Sequence, residues 1–340
     1  MLALAALASV CSWFALDAPG RGPRVPVGSR AMALYPLPAV HLPGAACELR
    51  NIEPRNIAMC REQSEFVAAL VDADGSRCAS VGSVLRIDDV RPASSDNSGR
   101  VLTSLESATV LRVRCTVVGR ARIVGCANLE AWRDWRRARE HAEYLVADVV
   151  DYSDDESGSG SRSSGSTSCG EDVMEDVVDD LFRLVDALLA APEESQSGLD
   201  VAAVVASLED AASLCEDGRW WDALELWQRY CATRSAAELM RHRAERDELL
   251  IDAKLKQGGM LSLPVNERAL PPADRARLRD LDARAHDAAS QMELDDSASF
   301  QACLESRLPA ERAERLQQGV QREAGRLARR AALQRALDAS

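Results

Sequence analysis

Val81-Gly82-Ser83-Val84-Leu85-Arg86-Ile87-Asp88-Asp89-Val90 sets apolar and polar residues in near alternation, and the same two-residue period returns from Val101 to Val118. Period two is the pattern of a strand with one face buried. Between the runs lies Ser94-Ser95-Asp96-Asn97-Ser98-Gly99, made of residues whose short polar side chains or missing Cβ suit turn backbone. The pair therefore reads as a β-hairpin. Upstream, Val67-Ala68-Ala69-Leu70-Val71 is a strand that runs into Asp72-Ala73-Asp74-Gly75, a turn ending in a glycine that tolerates left-handed backbone. Downstream, Cys115 to Val124 continues the β pattern past a break at Gly119, Glu130 to Glu143 reads as a helix rich in Arg and Trp, and Tyr144 to Val150 is a closing strand. Short strands at regular spacing with turn signals between them predict a small barrel-like or sandwich β domain.

The pattern changes after Tyr152. Ser153 to Gly170 is Asp, Glu, Ser and Gly almost without interruption, a composition that cannot bury enough apolar surface to fold, and it reads as a linker. Beyond it Val173, Val177, Leu181, Leu184 and Leu188 recur on one face of a 3.6-residue period. Leu199 to Leu214, Trp220 to Leu255, Ala273 to Gln291 and Ala310 to Leu337 are further helices, with Pro264, Pro271 and Pro272 marking a loop. The expected fold class is α+β: a targeting leader over 1–30, a β domain over 33–152, an acidic linker over 153–170 and a helical bundle over 171–338. At 340 residues, two modules are also what length alone suggests.

Leu2 to Leu16 is an apolar run too short to cross a bilayer, and Val10-Cys11-Ser12 is a small-residue cleavage pattern. From Pro19 to Arg30 the chain carries three arginines and no acid. A signal-like segment followed by a basic stretch resembles the bipartite leader of plastid proteins in secondary algae, so a plastid is expected, with the mitochondrion as the alternative. No other window is apolar and long enough for a membrane span.

With 41 basic against 54 acidic residues the net charge is -13, which repels polyanions. Aromatic residues make up only 4% of the chain, leaving few rings to stack bases, so nucleic acid is disfavoured as a partner. The ten cysteines contain no CxxC and no Cys/His pair at zinc spacing; they read as buried or incidental free thiols, and no metal is expected. Asp154-Asp155-Glu156 and Glu171-Asp172 lack the glycine and glutamate offsets of a calcium loop and read as a solvated flank. The chain contains no Gly-Lys, hence no phosphate-cradling loop of the ATPase type. Its two lysines, Lys254 and Lys256, sit in one apparently solvated helix end with no serine in a strained turn beside them. His41, His141, His242 and His286 are scattered. No residue is assigned a catalytic role and no cofactor is expected.

Two clusters leave alternatives open. Trp220, Trp221, Leu224, Trp227 and Tyr230 read as bundle core, with a partner groove as the other reading. Arg133, Arg136, Arg137 and Arg139, on a helix with Trp132 and Trp135, read as a charged face over ring anchors, with an acidic partner or RNA as the other.

The segment Leu34-Tyr35-Pro36-Leu37-Pro38-Ala39-Val40-His41-Leu42-Pro43-Gly44, followed by Ile52-Glu53-Pro54-Arg55 and Met59, resembles the opening of the Lon N-terminal, or substrate-binding, domain. Phe66 to Gly75, Val81-Gly82-Ser83-Val84-Leu85-Arg86-Ile87, Val117-Val118-Gly119-Arg120-Ala121-Arg122-Ile123 and Tyr144 to Val149 are similar to that family's later blocks in the same order. The tail from Phe300 through Leu304, Pro309, Arg312 and Leu316 looks like the end of its helical subdomain. The chain departs from the family pattern at His41, Asn51-Ile52, Asn56 and the Trp132 to His141 insertion. The resemblance implies a PUA-like β-barrel-type domain followed by a helical bundle, acting as a non-catalytic module. Its implied partners are unfolded or extended polypeptides, with a separate ATP-dependent protease as the machine it would serve. The motif residues it marks as structural or substrate-facing are Pro36, Pro43, Gly44, Glu53, Pro54, Arg55, Gly82 and Gly119. RNA binding, known among PUA-like barrels, is the alternative function.

Overall fold

The computed structural model describes residues 13–15, 28–51, 53–72, 75–93, 110–133, 142–154, 168–190, 199–256 and 270–338. The strands are β1 (Trp13–Ala15), β2 (Arg30–Leu37), β3 (Ala46–Asn51), β4 (Glu65–Leu70), β5 (Arg77–Ala79), β6 (Val81–Pro92), β7 (Leu111–Cys126) and β8 (Leu145–Asp151). The helices are α1 (Pro54–Glu62), α2 (Glu130–Arg133), α3 (Ser168–Leu189), α4 (Val201–Glu216), α5 (Trp220–Lys256), α6 (Pro272–Glu305) and α7 (Pro309–Asp338). The protein is thus α+β. Two compact units are formed, one of Met1–Glu171, Arg219–Glu225 and Ser297–Arg315, the other of Asp172–Gly218, Leu226–Asp296 and Leu316–Ser340.

In the first unit the sheet runs β3-β7-β6-β4-β2-β8, and β8 also pairs with β7. That extra pairing closes β7, β6, β4, β2 and β8 into a ring, which removes the open edges those strands would otherwise present. β7 is long enough to do two jobs: its first half pairs with β3 from Leu111 to Thr116, and its second half pairs with β8 from Ala121 to Cys126. A register shift between Val84, opposite Gly119, and Leu85, opposite Val117, separates the two halves. Such bulges bend a strand, here at the glycine break visible in the sequence.

Alternation fills both faces. Met32, Leu34, Val67, Ala69, Val84, Ala121, Ile123, Leu145, Ala147 and Val149 come from all five ring strands and form one core, the lumen of the barrel. The residues between them, among them Ala33, Phe66, Ala68 and Leu85, join Leu49, Val113, Val117 and the α1 residues Met59 and Cys60 in a second core outside the ring. The two cores are possible because successive side chains on a strand point to opposite faces.

The hairpin turn at Ser94 to Gly99 and the start of the Val101 run lie outside the described residues, but its arms pair as β6 and β7. Ile52, the Trp135 to His141 stretch and most of the leader also lie outside them. Within the region read as leader, β1 pairs antiparallel with β5, Trp13 opposite Ala79. The helix expected to stop at Gln291 continues to Glu305, because no proline or glycine interrupts it. Helix α6 begins at Pro272, where a missing N–H and fixed φ suit the first turn.

Of the Asp154-Asp155-Glu156 run only Asp154 lies among the described residues, and it is more than solvated: though 39% exposed, its carboxylate accepts from both guanidinium nitrogens of Arg312, at 2.7 and 2.8 Å, and pairs with Arg120. Arg120 and Arg312 also hold the C-terminal end of α6, donating to Leu304 O and Ser306 O at 2.7 Å and to Ser306 O at 3.1 Å. The last carbonyls of a helix have no intrahelical donor and carry partial negative charge, so buried guanidiniums are apt partners. Trp221 is within cation–π reach of both arginines, its ring centre 5.1 and 4.5 Å from their Cζ atoms. This is where it departs from the bundle-core reading, whereas Trp220, Leu224, Trp227 and Tyr230 are buried as expected.

In the second unit Trp227 stacks on Tyr230 with centroids 4.9 Å apart. The buried Glu323 carboxylate accepts from Tyr230 Oη at 2.7 Å, Arg234 at 3.1 Å and Arg326 at 2.7 and 2.8 Å, while Arg234 also reaches Asp296 at 2.7 Å. Among the described residues no helix is long and apolar enough to cross a membrane.

Candidate functional site

The pairing of β2 with β8 ends at Leu34 opposite Leu145, while its parallel pairing with β4 runs on to Leu37 opposite Leu70. From Tyr35 to Leu37 the strand is therefore paired on one side only. Pro36 sits in this overhang, as a proline can where no ladder N–H is required. A pocket of about 210 Å³ opens beside it, lined by Tyr35, Pro36, Leu37, Pro38, Glu53, Arg55, Asn56, Trp132, Tyr144 and Leu145, with Leu34 beneath.

The walls are set by hydrogen bonds from outside the pocket. Trp132 Nε1 donates to Gly75 O at 2.7 Å, and Gly75 takes the left-handed φ of +73° expected of the Asp72 to Gly75 turn. The Arg55 guanidinium lies 4.8 Å from the centre of the Trp132 ring, and its Nε bonds Glu53 Oε2 at 2.7 Å. A cation over an indole face is attracted by the ring quadrupole, so the arginine is held against the ring as one wall. Tyr35 Oη donates to Asn51 Oδ1 at 2.7 Å, and Asn51 Nδ2 in turn meets Cys60 Sγ at 3.3 Å. Burial, reinforced by Cys60 and Glu53 nearby, raises the Tyr35 phenol above its ordinary range, so it stays a neutral donor. Tyr144 Oη donates to Glu62 at 2.9 Å and accepts from Gln63 at 2.8 Å; burial first, then the Glu62 bond, raises its phenol too.

Of the residues singled out in the sequence, Pro36, Glu53 and Arg55 meet at this pocket. Pro54 opens α1 at its first turn. Gly44 takes φ +88° in the turn before β3, and Gly82 sits where a Cβ would lie 2.5 Å from Ala68 O, so both serve the backbone. Gly119 marks the bend in β7, and Pro43 is half-buried beside Gly44. Sequence reasoning missed Tyr35, Trp132 and Tyr144 as lining. Trp132 is half-buried, packed against the barrel core and bonded to Gly75, as a ring anchor would be; Trp135 and the arginines beyond Arg133 lie outside the described residues. The signal that could have found it is the rarity of rings in this chain.

A second open strand lies on β3, which among the described strands pairs only with β7. Its own Glu48, with Asp89 and Arg91 of β6 and Arg112 and Arg114 of β7, brings both signs of charge to a polar hollow of about 310 Å³. Among the described residues no group of three or more His, Cys, Asp or Glu side chains is placed to hold a metal ion.

Among the described residues the barrel thus carries an aromatic pocket beside a strand end that is paired on one side only. The chain is similar to solved Lon N-terminal structures: the Lon N-terminal domain protein from Xanthomonas campestris, 26% identical with a TM-score of 0.26, and the N-terminal domain of the Mycobacterium avium complex Lon protease, 12% identical with a TM-score of 0.31. The first likeness covers 37% of this chain and 63% of that one; the second covers 61% and 98%. The chain thus spans less than two thirds of the length of the Xanthomonas protein. No protein-family model and no curated protein matches it.

Proposed function

We propose that the protein is a non-catalytic module that binds extended or unfolded polypeptide, with the pocket at the β2 overhang as its primary contact. The observation that carries this reading is the conjunction of a strand segment paired on one side only, Tyr35 to Leu37, with an aromatic pocket directly beside it. Main-chain pairing gives affinity without sequence preference, and an adjacent pocket takes an apolar side chain of the guest. The resemblance read from the sequence supports the same class, and the leader reading would put the module in a plastid, delivering clients to a separate ATP-dependent protease.

The test is fluorescence anisotropy of the full chain with a reduced and alkylated, permanently unfolded protein, against single-stranded RNA. Polypeptide binding that survives high salt and falls at least about fivefold in Trp132→Ala is expected, since truncating one ring at a contact costs on the order of 1 kcal/mol or more. RNA binding with a steep salt dependence, and none to unfolded protein, would replace this reading by the RNA-binding one.

A further inference from the structure

Cys47 on β3 and Cys115 on β7 stand directly opposite each other in the antiparallel register. Facing residues of an antiparallel pair have Cα atoms about 4.5 to 5.5 Å apart, inside the range a disulfide spans without backbone movement. Both are free thiols in the structure. β3 is the outer strand of the sheet, so Cys47 is half-buried where most of the other described cysteines are buried. We propose that Cys47 and Cys115 form a redox-active dithiol that closes to an intramolecular cross-strand disulfide.

The surroundings favour Cys47 as the attacking sulfur. Its thiol is held well below the ordinary range, chiefly by the hydrogen bond from Cys115 and then by the His41 side chain, against burial and the Asp88 charge. Cys115 is raised correspondingly, as the donor in that bond. Among the other described thiols the shift goes the other way: burial pushes Cys60, Cys78, Cys215 and Cys303 up to about 12 and raises Cys126 and Cys231. A small-molecule disulfide such as oxidised glutathione supplies the oxidising equivalents. The Cys47 thiolate attacks one of its sulfurs, the S–S bond breaks and one glutathione thiolate leaves. Cys115 then loses its proton and attacks Cys47 Sγ, expelling the second glutathione. Two protons and two electrons leave the protein in all, and one glutathione disulfide becomes two thiols. This pairing is independent of the polypeptide-binding reading and extends the sequence view of these cysteines as incidental.

The experiment treats the full chain with oxidised glutathione, blocks free thiols and maps the products by non-reducing mass spectrometry. A Cys47–Cys115 linked peptide is expected in the wild type. Cys115→Ser should stop at a glutathione adduct on Cys47, and Cys47→Ser should leave Cys115 unmodified. Iodoacetamide at pH 6 should label Cys47 at least about fivefold faster than Cys126, the gain in thiolate fraction exceeding the loss in intrinsic nucleophilicity. A wild-type adduct that never resolves to the disulfide, a disulfide elsewhere, or labelling of Cys47 no faster than Cys126 would each overturn the proposal. The wild-type map and the labelling rate need no variant to fold.

Discussion

Replacing Arg312 by alanine should destabilise the barrel unit by about 2 to 3 kcal/mol, and the structure says why the figure is neither smaller nor larger. The side chain is only 2% exposed, makes a two-pronged bond to Asp154, caps Ser306 O and lies against Trp221. Removing one partner of a fully buried ion pair costs roughly 3 to 5 kcal/mol, because the other charge is stranded. Here the stranded group is Asp154, 39% exposed and still paired to Arg120, so water and the second guanidinium recover part of that loss. Arg312→Lys keeps the charge and loses the fork, and should fall between the variant and the wild type. Urea unfolding followed by circular dichroism and by tryptophan fluorescence measures the effect. In a double-mutant cycle with Asp154→Asn, a coupling of about 1 kcal/mol or more is expected for groups in direct contact. A shift in Arg312→Ala below about 0.5 kcal/mol, the range of ordinary surface substitutions, would refute the view that this arginine secures the α6 end to the barrel.

Gly82→Ala should lower stability by roughly 1 to 3 kcal/mol, as overpacking does, since the new Cβ would meet backbone at Ala68 O and the Val67 side chain at 2.6 Å; thermal unfolding reads it. Gly44→Ala, at φ +88° but with its new Cβ only in ordinary contact with Asp222 Oδ1 at 3.8 Å, should cost only about 1 kcal/mol by the same assay. Glu323 is subject to burial, which raises its carboxyl, but Arg326 and Arg234 outweigh this and hold it below the usual glutamate value. Its contribution to stability is therefore fully present above the unfolded value of about 4.3 and is lost as pH falls through the lower folded value. Glu323→Gln should destabilise at pH 7 and flatten the acid limb of the stability curve below about pH 4.

The barrel was legible because its strands obey one rule: alternate residues face two cores, and turn residues punctuate them. The run from Val81 to Val90, with the strands to either side, carries that rule without help from distant residues. Ring closure was not legible, since it depends on β8 meeting both β2 and β7, a pairing between segments far apart in the chain. The candidate site was half legible. Pro36, Glu53 and Arg55 could be marked by resemblance, but Trp132 and Tyr144 reach the pocket through bonds to Gly75, Glu62 and Gln63 that no local pattern encodes. Asp154 was misread for a related reason. An acid in an acidic stretch looks solvated until the guanidiniums that neutralise it, one 34 and one 158 residues away, are brought to it by the fold.

The size of the site also bounds how tightly it can hold a guest. A pocket of about 210 Å³ accommodates one large side chain, and burying a Leu, Phe or Met is worth about 1.5 to 3 kcal/mol. The overhang from Tyr35 to Leu37 adds few main-chain bonds, because Pro36 has no N–H to give, and each contributes about 0.5 to 1.5 kcal/mol net. The gross sum, on the order of 3 to 6 kcal/mol, is partly cancelled by ordering the guest, and a dissociation constant of 1 mM already requires about 4.1 kcal/mol. Binding of a single short peptide should therefore be weak, near millimolar, and longer chains should bind better by engaging several copies at once. Titration of peptides of increasing length against the full chain measures this. A short peptide bound at nanomolar strength would mean that a surface other than this pocket and overhang carries the affinity.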